Sequence, residues 1–384
     1  MTLLDNERVP TDAVLAVENL SVTFPTDDGD VRAVRDVSYT LRPREVLGIV
    51  GESGSGKSVS SMAIMGLLPG NARITGSIRY RDRELVGLPY KKLQSVRNND
   101  IAMIFQDPMT SLNPVYTIGW QLAEAYKAHH EVSKKAAWAK AVEALELVGI
   151  PQPDRRASQY PHEFSGGMRQ RVVIAMAIIN DPDVIIADEP TTALDVTVQA
   201  QILETLLRIR DETNAAIVMI THDLGVVAGM VDRVQVMYGG TVVEAGPVDE
   251  LFEHPRMPYT VGLLGSLPNP ATLGKRLTPI KGSPPSLINI PIGCAFSPRC
   301  PLAIDVCKES EPPIVPTEHA THLTRCHRWE HLAALPDPEK LFDHEEIGMV
   351  ENPAALTQAN PDIPVAEDLA VVDERMHKQE DPTS

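Results

Sequence analysis

Residues 51–58 read Gly51-Glu-Ser-Gly-Ser-Gly-Lys57-Ser58, which fits the pattern G-x-x-x-x-G-K-[ST] of a phosphate-binding loop. An apolar run of strand length, residues 46–50, precedes it, and residues 58–68 read as a helix. In the order strand, glycine loop, helix, backbone N–H groups and a helix N-terminus converge on phosphate oxygens. Lys57 is expected to reach the terminal phosphates, and the Ser58 hydroxyl to bind Mg²⁺. The stretch therefore predicts a nucleotide-binding α/β domain.

Composition limits the class of protein. With 384 residues the chain is long enough for a nucleotide-binding core plus an appendage, and 43% hydrophobic residues support a sizeable core. A net charge of −17 argues against nucleic acid as the main ligand, because phosphate backbones are bound by Lys and Arg. No apolar stretch approaches the length of about 20 residues that spans a bilayer, and the N-terminus does not resemble a signal peptide. We therefore expect a cytosolic protein that can dock on a membrane protein.

Polar residues follow further predicted strands. The apolar run 184–187 ends in Asp188 and Glu189, where a Mg²⁺ ligand and a water-orienting group are needed beside a phosphate loop. His222 follows the strand predicted over residues 216–221; it could donate to a terminal phosphate, or it could be structural. The remaining predictions are strands over 15–24, 31–34, 37–41, 74–80 and 101–105, a loop over 106–114, and helices over 119–149, 169–180 and 196–210.

Two more positions are candidates for nucleotide contact. Ser165, Gly166 and Gly167 stand at the start of a predicted helix and form a second anion-binding helix N-terminus. Phe24 ends the first predicted strand, where it could stack on an adenine ring or be an ordinary strand-end aromatic.

Together these residues resemble the ATP-binding subunits of ABC transporters over roughly residues 14–248. The resemblance implies a P-loop NTPase core of the ABC ATPase type, with an antiparallel β subdomain and an α-helical subdomain. It implies that Gly51, Ser53, Gly54, Ser55, Gly56, Lys57 and Ser58 bind ATP phosphates, that Ser58, Asp188 and the Q-loop Gln106 surround Mg²⁺, and that Glu189, His222 and Gln106 act in hydrolysis. It also implies that Ser165, Gly166 and Gly167 form the signature, that Asp195 belongs to the D-loop, and that Phe24 stacks on adenine.

The stretches 105–114 and 254–260 are similar to those of the oligopeptide, dipeptide and nickel importers. The resemblance implies three kinds of partner: a second, paralogous ATPase subunit, two transmembrane permeases and an extracytoplasmic peptide-binding protein. It also implies that this chain works at the cytoplasmic face of a bacterial membrane. Peptide uptake is the expected function, with nickel or glutathione uptake as alternatives. A soluble ABC ATPase of repair or translation fits less well, because the chain has one phosphate loop and only 58 residues separate Gln106 from Ser165.

All four cysteines lie between Cys294 and Cys326, spaced C-x5-C-x6-C-x18-C in a proline-dense region. In a cytosolic protein such clustering indicates metal rather than disulfides. The spacing lacks the tight knuckle of structural zinc, whereas an iron–sulfur cluster accepts wider spacing. Resemblance to the importers implies that Cys294, Cys300, Cys307 and Cys326 hold a [4Fe–4S] cluster. The alternatives are a Zn²⁺ site and four free thiols, and His319, His322 and His327 are alternative metal ligands. The expected role of the site is structural, because no substrate-binding feature adjoins the cysteines.

The predicted domains are a disordered N-terminus (1–12), a nucleotide-binding domain (13–250) with its helical subdomain at about 107–180, a Cys/Pro-rich C-terminal extension (251–329) and a tail (330–384). The tail carries 14 acidic and 3 basic side chains. This composition predicts a poorly structured segment.

Overall fold

A computed structural model of the protein describes residues 12–192, 194–266 and 279–342. The strands in these ranges are β1 (Leu15–Thr26), β2 (Gly29–Leu41), β3 (Val46–Val50), β4 (Arg73–Tyr80), β5 (Arg83–Glu84), β6 (Ile101–Ile104), β7 (Val184–Asp188), β8 (Ala216–Thr221), β9 (Arg233–Tyr238), β10 (Thr241–Pro247), β11 (Val315–Pro316) and β12 (Leu323–Thr324).

The helices are α1 (Lys57–Ile64), α2 (Tyr90–Gln94), α3 (Pro108–Ser111), α4 (Ile118–Lys127), α5 (Lys134–Leu147), α6 (Pro153–Ala157), α7 (Gly166–Ile178), α8 (Val196–Thr213), α9 (Leu224–Val227), α10 (Val248–Glu253), α11 (Pro258–Gly265), α12 (Asp305–Glu309) and α13 (Trp329–Ala333). Short 3-10 turns cover Pro161–Glu163, Ser297–Arg299 and Pro338–Phe342. Within these described ranges, no helix combines the length and the apolar character that a membrane span requires.

The main sheet positions the site. Its strand order is β11-β12-β10-β9-β3-β8-β7-β6, and the five strands from β9 to β6 run parallel. Strands β3, β6, β7 and β8 are buried along their whole length, because a parallel sheet is covered on both faces and accepts continuous apolar runs. The loops after β3, β7 and β8 therefore leave the same edge of the sheet.

Alternate residues of these strands point into two cores. Val46 and Val50 of β3 pack toward the helices α4, α5, α7 and α8, whereas Leu47 and Ile49 pack toward the antiparallel sheet β2-β1-β4-β5. Both predicted subdomains are present, and the fold class is confirmed. The segments 31–34 and 37–41, predicted as two strands, form the single strand β2, whose register with β1 shifts at several points.

The helical region departs from the prediction in two places. The single helix expected over residues 119–149 is wrong, since α4 ends at Lys127 and α5 begins only at Lys134. The Ser133 hydroxyl caps α5 by accepting a hydrogen bond from the main-chain N of Ala136. The loop predicted over residues 106–114 contains the four-residue helix α3.

The C-terminal extension is continuous with the main sheet, because β12 pairs antiparallel with β10 through Glu244 and Ala245. Of the tail predicted from residue 330, the structure describes residues 330–342. There Leu332 of α13 and Phe342 are buried in the core shared with the helices. Residues 343–384 and the predicted disordered N-terminus up to residue 11 lie outside the described residues.

Candidate nucleotide-binding site

The phosphate loop joins β3 to α1 as predicted. Gly51, Gly54 and Gly56 have φ angles of 149°, 79° and 100°, where L side chains are strained. A Cβ on Gly51 would lie 2.2 Å from the carbonyl oxygen of Met237, and one on Gly56 would lie 2.3 Å from that of Ala33. Glycine is therefore required at both positions for the neighbouring backbone to close around the loop.

Lys57 is buried beneath this loop. Its Nζ donates to the carbonyl oxygens of Gly51, at 2.7 Å, and of Glu52, at 3.0 Å. Burial lowers the pKa of Lys57, against the opposing charges of Glu189, Asp188 and Glu52. The ammonium is thus fixed under the loop by two main-chain carbonyl oxygens.

A hydroxyl and a carboxylate meet beside Lys57. The Ser58 hydroxyl donates to Oδ1 of Asp188 at 3.0 Å, and Asp188 ends the buried strand β7. Burial raises the pKa of Asp188. Hydroxyl and carboxylate oxygens are ligands of the kind Mg²⁺ takes in proteins, so this pair fits a magnesium ion. The side-chain amide of Gln106, predicted for the same ion, donates instead to Glu189.

Glu189 is the centre of the polar cluster. Its Oε2 accepts from Nε2 of Gln106 and from Oγ1 of Thr192, each at 2.9 Å, and its Oε1 lies 3.3 Å from Nδ1 of His222. Glu189 has a φ of 48°, which is uncommon for a residue other than glycine. The structure therefore brings Glu189, Gln106 and His222 together as predicted, and adds Thr192, which lies three residues after Glu189.

These residues face a cavity of about 810 Å³. Lining residues predicted from sequence are Phe24, Ser53, Gly54, Ser55, Gly56, Lys57, Ser58, Gln106, Glu189 and His222. Leu263 and Leu287 of the C-terminal extension and Val31 of β2 add an apolar wall that sequence reasoning missed. The buried hydroxyl oxygen of Ser55 has no hydrogen-bond partner within the structure, so the loop retains a free polar atom.

The second predicted anion-binding element does not line this cavity. The Ser165 hydroxyl accepts from the main-chain N of Met168 and caps α7, and Asp195 caps α8 by accepting from that of Val198. Ser165 and Gly166 are exposed. Within one chain these residues are therefore available to a different ligand.

The four cysteines lie in the extension, Cys307 buried and the other three half-buried. The main-chain N of Cys294 donates to the carbonyl of Cys307 at 2.8 Å. Burial raises the pKa of Cys300 and of Cys326 to about 12 each, and the charges of the other cysteines add to the rise. The described part of the chain contains no group of three or more His, Cys, Asp or Glu that could hold a metal ion.

Two of the histidines considered as other ligands have different partners. Nε2 of His322 lies 2.8 Å from Oε1 of the buried Glu244, and Nε2 of His327 lies 3.0 Å from the carbonyl oxygen of Ser310.

An arginine in the cysteine region contacts the phosphate loop. Arg299 donates through Nη1 and Nη2 to the two carboxylate oxygens of Glu52, at 2.6 and 2.9 Å. The expectation that no substrate-binding feature adjoins the cysteines is therefore wrong. No local sequence signal indicates this pair, whose members are 247 residues apart.

Two family models match the chain. Residues 34–192 match the model described as ABC transporter, and residues 243–307 match the oligopeptide/dipeptide transporter, C-terminal region. The oligopeptide transport ATP-binding protein OppD of Salmonella typhimurium is 52% identical over 79% of this chain and 90% of its own. The dipeptide transport ATP-binding protein DppD of Bacillus subtilis is 54% identical over 78% and 90%.

A longer relative is OppD of Mycobacterium tuberculosis, at 52% identity over 90% of this chain. The chain spans 56% of the length of that relative. Among solved structures, a dimeric post-hydrolysis ATP-binding cassette bound to ADP and Pi is 26% identical, with a TM-score of 0.55 over 61% of this chain and 98% of the other. From the motifs, the cavity and these matches, the chain belongs to the family of ABC transporter ATP-binding proteins, in its oligopeptide/dipeptide group.

Proposed function

We propose that the chain is the ATP-hydrolysing subunit of an ABC importer that powers uptake of di- or oligopeptides. The observation that carries the proposal is the convergence of Lys57, Ser58 and Glu189 on one cavity, with Asp188 hydrogen-bonded to Ser58 beside it. The names of the relatives favour peptides over nickel or glutathione as cargo.

Each residue has a role that follows from its contacts. The loop N–H groups and Lys57 bind the ATP phosphates, and Ser58 and Asp188 hold Mg²⁺. The bound ion neutralises phosphate charge. Glu189 orients the attacking water and accepts its proton, while Gln106, Thr192 and His222 fix the carboxylate.

The remaining predicted residues contact nucleotide in two ways. Phe24 stacks on adenine at the apolar end of the cavity, beside Val31 and Leu287. Ser165, Gly166, Gly167 and Asp195 act on a nucleotide held by a second ATPase subunit. Support comes from the exposure of Ser165, Gly166 and Asp195 and from the position of all four outside this cavity. The dimeric state of the similar cassette bound to ADP and Pi is consistent with this arrangement.

The same family membership supports the partners. They are a second, paralogous ATPase subunit, two transmembrane permeases and, through them, an extracytoplasmic peptide-binding protein. The chain would work at the cytoplasmic face of the membrane as a peripheral subunit.

Uptake in a strain that lacks the gene tests the function and the cargo. We expect complementation with the wild type to restore uptake of a labelled tripeptide, and complementation with Lys57→Ala to fail, because the phosphates lose their buried cation. Uptake of ⁶³Ni²⁺ and of labelled glutathione is measured in parallel. Restoration of either one without the peptide would overturn the peptide assignment and leave the ATPase role standing.

We further propose that Cys294, Cys300, Cys307 and Cys326 hold a [4Fe–4S] cluster, with Zn²⁺ as the alternative. A single Zn²⁺ with Zn–S bonds of about 2.3 Å needs four sulfurs about 3.8 Å apart. In a cubane cluster each thiolate binds a different iron, so the four sulfurs can lie farther apart than around one zinc ion. The clustering of all four cysteines between Cys294 and Cys326, each half-buried or buried, is the support for a metal site, and their wide spacing in the sequence favours the cluster.

Metal analysis of anaerobically purified protein tests this site. We expect about four irons per chain and a broad absorbance near 400 nm, both lost when the four cysteines are changed to Ser, together with lower thermal stability. About one zinc and no iron would refute the cluster, and a chain that binds neither metal would refute the site.

A further inference from the structure

The phosphate loop is held by the C-terminal extension as well as by its own domain. The carboxylate of Glu52, the second residue of the loop, accepts two parallel hydrogen bonds from the Arg299 guanidinium. Such a bidentate pair is both stronger and more directional than a single charged contact. Glu52 is also held through its backbone, since its N–H donates to the hydroxyl of Tyr259 at 2.8 Å. Tyr259 belongs to α11, in the C-terminal extension, and is fully buried.

Contacts other than the one with Glu52 also hold the Arg299 side chain in place. Its side chain is only 5% exposed, and it donates to the carbonyl oxygens of Lys281 and Ile280 at 3.0 and 3.3 Å. It also donates to the hydroxyl of Tyr238 at 3.2 Å and lies over the rings of Tyr238 and Phe296. A guanidinium with this many partners loses little freedom when it binds a carboxylate, so it can impose a position on the loop.

The charge of Glu52 matters for an anionic ligand. Glu52 lines the cavity beside Lys57, and its charge is one of those that act on the Lys57 ammonium. An uncompensated carboxylate there would repel the phosphates of ATP across a partly buried space, where charges are weakly screened. Arg299, which does not itself line the cavity, supplies the compensating charge.

We propose that Arg299 is a positioning residue of the phosphate loop, which neutralises and orients Glu52 and so makes ATP affinity depend on the cysteine-bearing extension. The proposal rests on the proposed function, namely that this cavity binds ATP. If so, the loss of Arg299 lowers ATP affinity chiefly because the charge of Glu52 is left uncompensated. Removing both charges should therefore restore the affinity.

The test is the affinity of the full chain for the non-hydrolysable analogue AMP-PNP with Mg²⁺, measured by titration calorimetry. The variants are Arg299→Met, Glu52→Gln and the double variant. The matched control is Glu318→Gln, which breaks the bidentate pair of Arg256 and Glu318 elsewhere in the extension. Thermal unfolding of every variant is recorded beside its affinity.

We expect Arg299→Met to bind about tenfold more weakly than the wild type, because a charged group loses its partner. Glu52→Gln and the double variant should bind within about threefold of the wild type, and Glu318→Gln should match it. Wild-type affinity for Arg299→Met, or a double variant as weak as Arg299→Met, would overturn the proposal. If Arg299→Met does not fold, Arg299→Lys takes its place with an expected loss of about threefold, since an ammonium cannot form the parallel pair; wild-type affinity would then be the contrary result.

Lys57→Ala separates this proposal from the one on which it rests. If the wild type and Lys57→Ala bind AMP-PNP equally, the assignment of this cavity as the ATP site is wrong. If Lys57→Ala loses binding and the Arg299 variants do not, only the positioning role fails.

Discussion

The two oxygens of the Glu189 carboxylate have different surroundings. Oε2 accepts from both Gln106 and Thr192, whereas Oε1 lies beside the half-exposed His222. Gln106 and Thr192 hold the side chain through Oε2, and His222 is the neighbour of Oε1. That arrangement suits a group that must orient a water and take its proton, because Gln106 and Thr192 donate to only one of the two oxygens.

Glu189→Gln should therefore separate binding from hydrolysis. The amide keeps the size of the side chain but cannot accept a proton, so we expect nucleotide affinity within about threefold of the wild type and hydrolysis at this site reduced at least about 100-fold. Hydrolysis is measured in the assembled complex with the partner's site inactivated. Thr192→Val, which removes one donor and keeps the carboxylate, is the control and should lose less activity than Glu189→Gln. Turnover of Glu189→Gln close to that of the wild type would contradict the role.

At the residue scale, the sequence predicted those members of the site that belong to local motifs. Gly51 to Ser58, Glu189 and His222 each follow a buried strand, Asp188 ends one, and strands of one parallel sheet end at one edge. Leu263, Leu287 and Arg299 were not predicted, because their nearness to the loop depends on how the extension packs. No periodicity or spacing encodes that packing.

At the scale of elements, the contact between α7 and α8 depends on one glycine. A Cβ on Gly167 would lie 2.6 Å from Cγ1 of Val198, whereas one on Gly166 would lie 3.8 Å from the nearest atom, Cδ2 of Leu194. Val198 is β-branched and has few alternative rotamers in a helix. The two adjacent glycines therefore differ in packing although both belong to the signature.

We expect Gly167→Ala to destabilise the isolated chain by about 1–3 kcal/mol, because the new methyl group must push α8 away from α7. Gly166→Ala is the matched control and should leave the free energy of unfolding unchanged or slightly higher, since alanine favours helix over glycine. Both values come from denaturant unfolding of the chain without nucleotide. Equal stability of the two variants would show that the contact with Val198 is not a constraint.

Elements were predicted best where burial is complete. The strand predicted over residues 216–221 matches β8, since a strand covered on both faces is a continuous apolar run. The break between α4 and α5 was missed because residues 128–133 contain neither Gly nor Pro. The usable signal was Ser133, a favoured helix N-cap. The burial of Leu332 and Phe342 was not predicted, because both lie in an acidic segment and their burial depends on tertiary packing.

At the scale of the whole molecule, the predicted ATP contacts lie in two places. The phosphate loop and Glu189 line the cavity, with Asp188 bonded to Ser58 of the loop, while Ser165 and Gly166 are exposed at the start of α7 and do not line it. A single chain thus offers the nucleotide one set of contacts and leaves the second set facing outward. If ATP is hydrolysed between two subunits, each subunit completes the site of the other.

The isolated chain should therefore hydrolyse ATP weakly, with a rate per subunit that rises with protein concentration and on addition of the paralogous subunit. Steady-state hydrolysis over a concentration series, with the mass of the species measured by light scattering, checks this expectation. Ser165→Arg provides the finer test: in the assembled complex it should suppress hydrolysis at the partner's phosphate loop, because a bulky side chain there blocks the partner's nucleotide. Hydrolysis at this chain's own loop should persist in that variant, since Ser165 lies outside its cavity. Rapid hydrolysis by a proven monomer, independent of concentration, would contradict the shared site, as would a Ser165→Arg variant that loses only its own activity.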